Sequence, residues 1–582
     1  MKLPFALACL LLAARGVAAQ AIVTETNVPV PMRDGVVLRA EVWRPGTGGR
    51  VPVLVYRTPY GRLRAPEDAS IFAHAVERGY AVMIQDVRGR YGSDGEFVAY
   101  RQEGRDGYDT IEWAARQAWS DGNIGTFGLS YPGAVQWLAA LERPPHLRAM
   151  VPAMTFASPR RFFYFGGAFD LSWIEWTWNN MAPDVRVKKH LDGPTTGREA
   201  RAALGRLSPP LHRRVPLNEL NELKPVAPWF FEWLAHPPED AWWDWAELDG
   251  RYDRLDGVAV LNFSAWYDEA YGPDGATRNF AGLLAARHGS VDPKTQLVIG
   301  PWTHGAPARD ECKVGERDFC PSGVLDYDVM VLDWMDRYVR GIGNGVDRRK
   351  PVRYYVMGGG AWREAGAWPL PQTTAHSLYL GRAPAVATVG TLGAEPGTSA
   401  TPSTSFVSDA AHPVENPHPG NVGPHDNRAL AARSDVLVFD SAPLERDTEA
   451  SGPIVAEIHL SCDAPDTDLW VRLLDVAPDG TAYNLMSPGA EVLRASYRNG
   501  GHELLEPGRV YLLTLDHLMT SNVFSKGHRI RVQISASLWP DFSVNPQTGA
   551  RETISGETRR ARITIHHDAT YPSRIVLPVV QR

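Results

Sequence analysis

Apolar and polar positions follow one rhythm from Ile22 to about Trp368 and another beyond about Pro371. In the first part, short apolar runs alternate with stretches whose apolar residues recur every three or four positions, the signature of strands and helices in turn. Residues 28–31 and 36–42 read as strands around the turn Arg33-Asp34-Gly35. Residues 51–56, 80–84, 124–127, 147–152, 258–263 and 296–299 are short apolar runs suited to a mostly parallel, buried sheet. Helices are expected at 109–118, capped by Asp109, and at 133–142. Leu325, Val329, Leu332, Met335 and Val339 fall on one helical stripe ending near Gly341. From Ser158 to Leu248 the chain is rich in Trp, Phe, Arg and Pro and has a helix-like run at 198–207, so an inserted helical cap is expected there.

Past Pro371 the helical period is gone. A Gly/Pro/Ser/Thr-rich stretch at 390–426 leads into strand-like runs at 436–439, 454–460, 469–474, 510–515, 530–536, 562–566 and 575–580. Regular short strands separated by turn residues predict a β-sandwich. The division is therefore an α/β domain at 20–370 with its cap at about 158–248, and an all-β domain at 371–582. The first nineteen residues stand apart. Lys2 is followed by an unbroken apolar stretch, 3–14, and by Val17-Ala18-Ala19, a small-residue cleavage pattern. Twelve apolar residues cannot span a bilayer, which needs about 20. Residues 1–19 are thus expected to be a signal peptide, with an exported product, periplasmic or secreted, and no membrane span.

Composition narrows the function classes. Charged residues are 22% and hydrophobic ones 44%, a globular balance that excludes wholesale disorder. The net charge is −7 and no basic run occurs, which argues against a nucleic-acid partner. Cys9 leaves with the signal segment, while Cys312, Cys320 and Cys462 remain. Cys312 and Cys320 flank a short loop, and export would allow them to bridge; the spacing leaves a disulfide and two free thiols both open. An isolated cysteine pair does not make a zinc site, so no metal is expected.

The sharpest chemical signal is Gly128-Leu129-Ser130-Tyr131-Pro132-Gly133, between a buried strand and a helix. A serine on such a turn is thrust out of the sheet, and the helix start leaves backbone N–H groups free to stabilise an oxyanion. Against the strict G-x-S-x-G pattern, Pro132 holds the second glycine position. A serine nucleophile needs a histidine base oriented by a carboxylate, in the chain order Ser, Asp or Glu, His at the ends of successive strands. Asp268 follows the run 258–263 and His304 follows 296–299. Glu269 and Asp274 are rival carboxylates.

These motifs, together with Arg57-Thr58-Pro59-Tyr60, Gln85-Asp86-Val87-Arg88-Gly89, Trp266-Tyr267-Asp268 and Gly300-Pro301-Trp302-Thr303-His304, resemble the cocaine esterase and X-Pro dipeptidyl-peptidase group of serine hydrolases over nearly the whole mature chain. That group writes its elbow G-x-S-Y-x-G, which Pro132 satisfies. The resemblance implies an α/β-hydrolase with a helical cap and a C-terminal, galactose-binding-like jelly roll. It implies Ser130 as nucleophile, Asp268 as orienter and His304 as base, and an oxyanion hole from the Tyr60 hydroxyl and the Tyr131 backbone N–H. It implies hydrolysis of small-molecule esters or amides without a cofactor. Phe165, Phe169, Trp173 and Trp266 are candidate pocket walls or, equally, packing residues; Asp86 and Arg88 are expected to brace the fold.

Three alternatives accompany this reading: an Xaa-Pro dipeptidyl-peptidase, an α-amino acid ester hydrolase or β-lactam acylase, and a non-catalytic glycan-binding protein. Relatives that hold a substrate ammonium carry acids two and three residues after the triad aspartate. Here Ala270 and Tyr271 stand there, and the cap offers Arg160-Arg161-Phe162-Phe163. Neutral or anionic aromatic acyl groups are therefore expected. The sequence leaves a monomer and a homo-oligomer both open.

Overall fold

A computed structural model describes residues 22–581 apart from 47, 69, 208–209, 288–291, 306–311, 382–388, 398–402, 420–421 and 487–490. The expected signal peptide, residues 1–19, lies outside the described residues.

The first domain is built on a ten-stranded sheet. Its spatial order is Ile22–Pro31, Val37–Pro45, Ala81–Asp86, Val51–Thr58, Ser120–Leu129, Leu147–Ala153, Ala259–Tyr267, Thr295–Thr303, Val352–Val356 and Ala361–Ala365. The seven strands from Ala81–Asp86 to Val352–Val356 are parallel, and the outer three are antiparallel. Parallel strands need cover on both faces, and alternation supplies it. Leu54, Val82 and Ile84 pack under helices Ile71–Glu77 and Tyr327–Tyr338, whereas Val53, Val55, Ala81 and Met83 pack under Glu103–Ala115, Tyr131–Leu141 and Asp274–Ala286.

Two expectations about helices need correction. Asp109 does not cap a helix: it lies inside Glu103–Ala115, where its carboxylate accepts from the backbone N–H and the guanidinium of Arg33. The ion pair fixes the N-terminal turn to the helix, a use that spacing alone does not reveal. In Tyr327–Tyr338, Val329 is 43% exposed while Val331 and Trp334 face inward. The Asp326 carboxylate accepts the Val329 N–H, so Val329 stands in the capped first turn, outside the packed face.

The expected cap segment holds the helices Pro159–Phe163, Ser172–Trp176, Ala182–Lys189, Gly197–Leu204 and Pro228–Ala235. Thr196 and Glu199 form a reciprocal capping box that starts Gly197–Leu204. The C-terminal domain holds twelve strands in one continuous hydrogen-bonded network, from Thr373–Gly381 to Arg574–Val580. Its central strand, Thr448–Cys462, alternates inward Ile454, Ile458 and Leu460 with more exposed residues and pairs along its length with Val510–Phe524.

Cap and C-terminal domain are joined by backbone. Phe169 and Ser543 exchange two hydrogen bonds, and the Arg494 N–H donates to the Gly166 carbonyl at 2.7 Å. Gly166 has φ +48°, and a Cβ there would stand 2.1 Å from the Val492 carbonyl oxygen, so only glycine allows this approach. Arg494 is buried between Asp468 and Glu552. Removing one partner from such a cluster costs about 3–5 kcal/mol, because a buried charge is left uncompensated. Among the described residues no helix is long and apolar enough to cross a membrane.

Candidate active site

The strand Ser120–Leu129 ends in a turn that throws Ser130 upward. Ser130 has φ 69° and ψ −127°, a conformation L-residues rarely adopt. Its N–H donates to the Ala153 carbonyl at 3.0 Å, and its own carbonyl accepts from Gly133 and Ala134 at 2.8 and 2.9 Å. The turn closes only because side chains are missing: a Cβ on Gly128 would meet Pro132 at 2.5 Å, and one on Gly133 would meet the Ala153 carbonyl at 2.6 Å. Pro132 in the first helical turn needs no N–H partner, which is why proline is tolerated there.

Tyr131 opens the helix, so its N–H has no intrahelical carbonyl to reach. Its side chain is anchored below: the hydroxyl donates to Glu103 Oε1 at 2.7 Å and accepts from the Tyr100 N–H at 2.8 Å. Glu103 is in turn paired with buried Arg57 at 2.9 Å. Tyr60, beyond the end of Val51–Thr58, accepts from Trp176 Nε1 at 3.0 Å, and its hydroxyl lies near the side chain of Ser130. Burial raises the Tyr60 pKa against the opposing influence of Trp176 and Ser130, keeping the phenol protonated as a donor.

His304 Nδ1 lies 2.9 Å from Asp268 Oδ1, and Asp268 is fully buried. The same oxygen accepts from the N–H groups of Ala270 and Tyr271. Burial by itself would lower the imidazole's pKa, but the charge and hydrogen bond of Asp268, with the charge of Glu269, outweigh it and hold His304 above its ordinary value. The rival carboxylates lie elsewhere. Glu269 accepts the His304 backbone N–H at 3.0 Å, and Asp274 pairs with Arg161 and Arg278.

Tyr271 brings these groups together, and the sequence marked it only as uncharged. Its hydroxyl lies near the Ser130 side chain and 3.1 Å from that of Tyr100, while its ring packs 5.5 Å from His304. Trp176 and Glu269 are likewise second partners that no motif names; their only sequence signal is proximity to the cap helix and to Asp268.

The four aromatic candidates separate. Trp173 is buried in the cluster with Phe162 and Tyr271. Phe165 lines cavities between cap and C-terminal domain. Phe169 and Trp266 have no exposed surface. Phe169 packs edge-on to Phe230 at the interdomain seam, and Trp266 donates to the Tyr355 carbonyl and packs by Trp368. Both are packed in the core. Asp86 and Arg88 brace the fold through Arg62, Asp34 and Asp106. Cys312 and Cys320 are joined in a disulfide, and Cys462 is buried and free.

Residues 34–306 match the X-Pro dipeptidyl-peptidase (S15 family) model, and residues 344–576 match the X-Pro dipeptidyl-peptidase C-terminal non-catalytic domain. The chain is 34% identical to cocaine esterase of Rhodococcus sp. (strain MB1 Bresler), over 96% of this chain and 98% of that protein. The fold is shared with an α-amino acid ester hydrolase (TM-score 0.80, 24% identity, covering 98% of this chain and 99% of that one). It is also shared with an aminopeptidase from a marine sediment Thaumarchaeota archaeon (TM-score 0.80, 23% identity, covering 97% and 96%). The strand-to-helix turn around Ser130, the separate all-β domain and full-length similarity to an esterase agree: the chain belongs to the S15 family of serine hydrolases, with cocaine esterase among its relatives.

Proposed function

We propose that this chain is an exported acyl hydrolase that cleaves ester or amide bonds through an acyl-enzyme on Ser130. One observation carries the reading. Ser130 stands on a strained turn with the Tyr60 and Tyr271 hydroxyls near its side chain, and Tyr271 packs against an imidazole tied to a buried aspartate. With His304 Nδ1–H donating to Asp268, Nε2 is the lone-pair nitrogen. It takes the Ser130 proton as Oγ attacks the acyl carbon. The Tyr60 hydroxyl and Tyr131 N–H donate to the developing oxyanion, and the imidazolium returns its proton to the leaving alkoxide or amine. Water then repeats the sequence on the acyl-enzyme. None of these steps uses a cofactor.

The surroundings of Ser130 favour an uncharged aromatic acyl group: Tyr60 and Tyr271 lie near it, with Trp176 on Tyr60 and Trp173 on Tyr271, and Arg160 and Arg161 are neutralised by Asp244, Glu247 and Asp274. A second reading, a substrate bearing an amine as for an α-amino acid ester hydrolase or an X-Pro dipeptidyl-peptidase, is favoured by a different observation. Asp170, Glu175 and Glu269 line one cavity beside the His304 loop, and burial pushes Asp170 up to about 7. Comparing kcat/KM for phenylacetyl and phenylglycyl esters of one alcohol separates the two. We expect the phenylacetyl ester to be at least as good, and a large preference for the phenylglycyl ester would establish the amine subsite. Export rests on the apolar segment 3–14 and on the disulfide, which belongs to an oxidising compartment. Intact mass of protein recovered from periplasm or medium should lack about the first 19 residues; a full-length mass there would refute cleavage.

A further inference from the structure

We propose that Glu316, His418 and His425 bind a divalent transition-metal cation where the hydrolase domain meets the C-terminal domain. One ligand-capable atom of each lies within 4.8 Å of the others. Glu316 sits at the tip of a small hairpin, Lys313–Val314 with Arg317–Asp318, closed at its base by the Cys312–Cys320 disulfide. A loop of the C-terminal domain carries the two histidines over that tip. The Glu316 N–H donates to the Pro424 carbonyl at 2.8 Å, and the Asp426 N–H donates to Glu316 Oε2 at 3.2 Å.

The placement of hydrogens makes the case. His425 Nε2 faces the Val422 carbonyl at 3.3 Å, and His418 Nε2 faces the Asp426 carbonyl at 3.1 Å. A carbonyl only accepts, so each Nε2 carries the hydrogen and each neutral ring keeps a lone pair on Nδ1. His425 Nδ1 then meets Glu316 Oε1 at 3.2 Å, two acceptors at hydrogen-bond distance. A positive charge must relieve that contact, either a second proton on His425 or a metal ion. The second histidine adds a further donor beside that contact. Its ring stacks on His425 with centroids 4.6 Å apart and planes 19° from parallel, an arrangement an ion pair with Glu316 does not require.

The remaining features are those of a metal site. Imidazoles that ligate a metal ordinarily give their far N–H to a backbone carbonyl, as both do here. The backbones are fixed too: the His425 N–H donates to Asn484 Oδ1 at 2.8 Å, and the His418 N–H to Asn416 Oδ1 at 3.0 Å. Both histidines line the cavity that also holds Asp170 and Glu269, which offers an acidic entry path. Two imidazoles and one carboxylate suit Zn²⁺, with a coordination position left toward the cavity. The sequence expectation of no metal considered only the cysteine pair; Glu316 is too far along the chain from the histidines for spacing to reveal the set.

The test is calorimetric titration of chelator-stripped, full-length protein with Zn²⁺, followed by thermal unfolding with and without the metal. We expect one Zn²⁺ per chain and a higher Tm with metal. His425→Ala and the milder Glu316→Gln should each lose at least tenfold in affinity while keeping the unliganded Tm near that of the parent. His304→Ala should retain the site, which separates it from the catalytic histidine. Absence of stoichiometric binding, or equal binding by both Glu316→Gln and His425→Ala, would overturn the proposal and leave Glu316 and His425 an ordinary ion pair.

Discussion

Ser130 is useful because it is uncomfortable. Its positive φ goes with close-packed glycines at 128 and 133, and the phenols of Tyr60 and Tyr271 lie near its side chain. If the Tyr60 hydroxyl stabilises the oxyanion, Tyr60→Phe lowers kcat roughly 10²–10³-fold with KM nearly unchanged, since that bond strengthens in the transition state. Steady-state kinetics on a chromogenic ester measures it, and an unaltered kcat would return Tyr60 to packing. Glu269 acts on His304 from behind, gripping its N–H and contributing charge. A base works only when neutral, so a raised pKa puts the acid limb of kcat/KM above pH 6.5, the ordinary histidine value. Glu269→Gln keeps an acceptor but removes the charge, and the limb should move to lower pH. A pH profile that does not move would mean the charge is screened from His304.

At the scale of elements, what could be read in the sequence was whatever repeats locally. The parallel strands are continuous apolar runs, and the turn at Ser130 carries its glycines in plain order, so both were visible beforehand. Extents were harder. Val510–Phe524 runs nine residues past the apolar stretch 510–515 because its far half pairs with Thr448–Cys462, a partner distant in the chain. Asp109 and Val329 misled for a related reason, since long-range partners and helix orientation, not spacing, decide where they face. Tyr271 and Trp266 show the same limit within the site. Both are aromatic and near Asp268, yet one meets Ser130 and the other fills the core under Trp368.

Over the whole molecule, the cap, hydrolase and C-terminal units are built into one another. Backbone bonds at Phe169–Ser543 and Gly166–Arg494 clamp the cap to the β domain, and Glu316 meets the loop that carries His425. The cap supplies Trp176 to Tyr60, so the clamp bears on the groups around Ser130 as well as on stability. The proposed function turns on Ser130 being acylated. Incubation of the protein with a fluorophosphonate, proteolysis and mass mapping reads that event directly. The account predicts a single adduct on Ser130, at most one per chain, abolished in a folded Ser130→Ala variant and slowed in His304→Ala. An adduct on another residue, or undiminished labelling of Ser130→Ala, would contradict it.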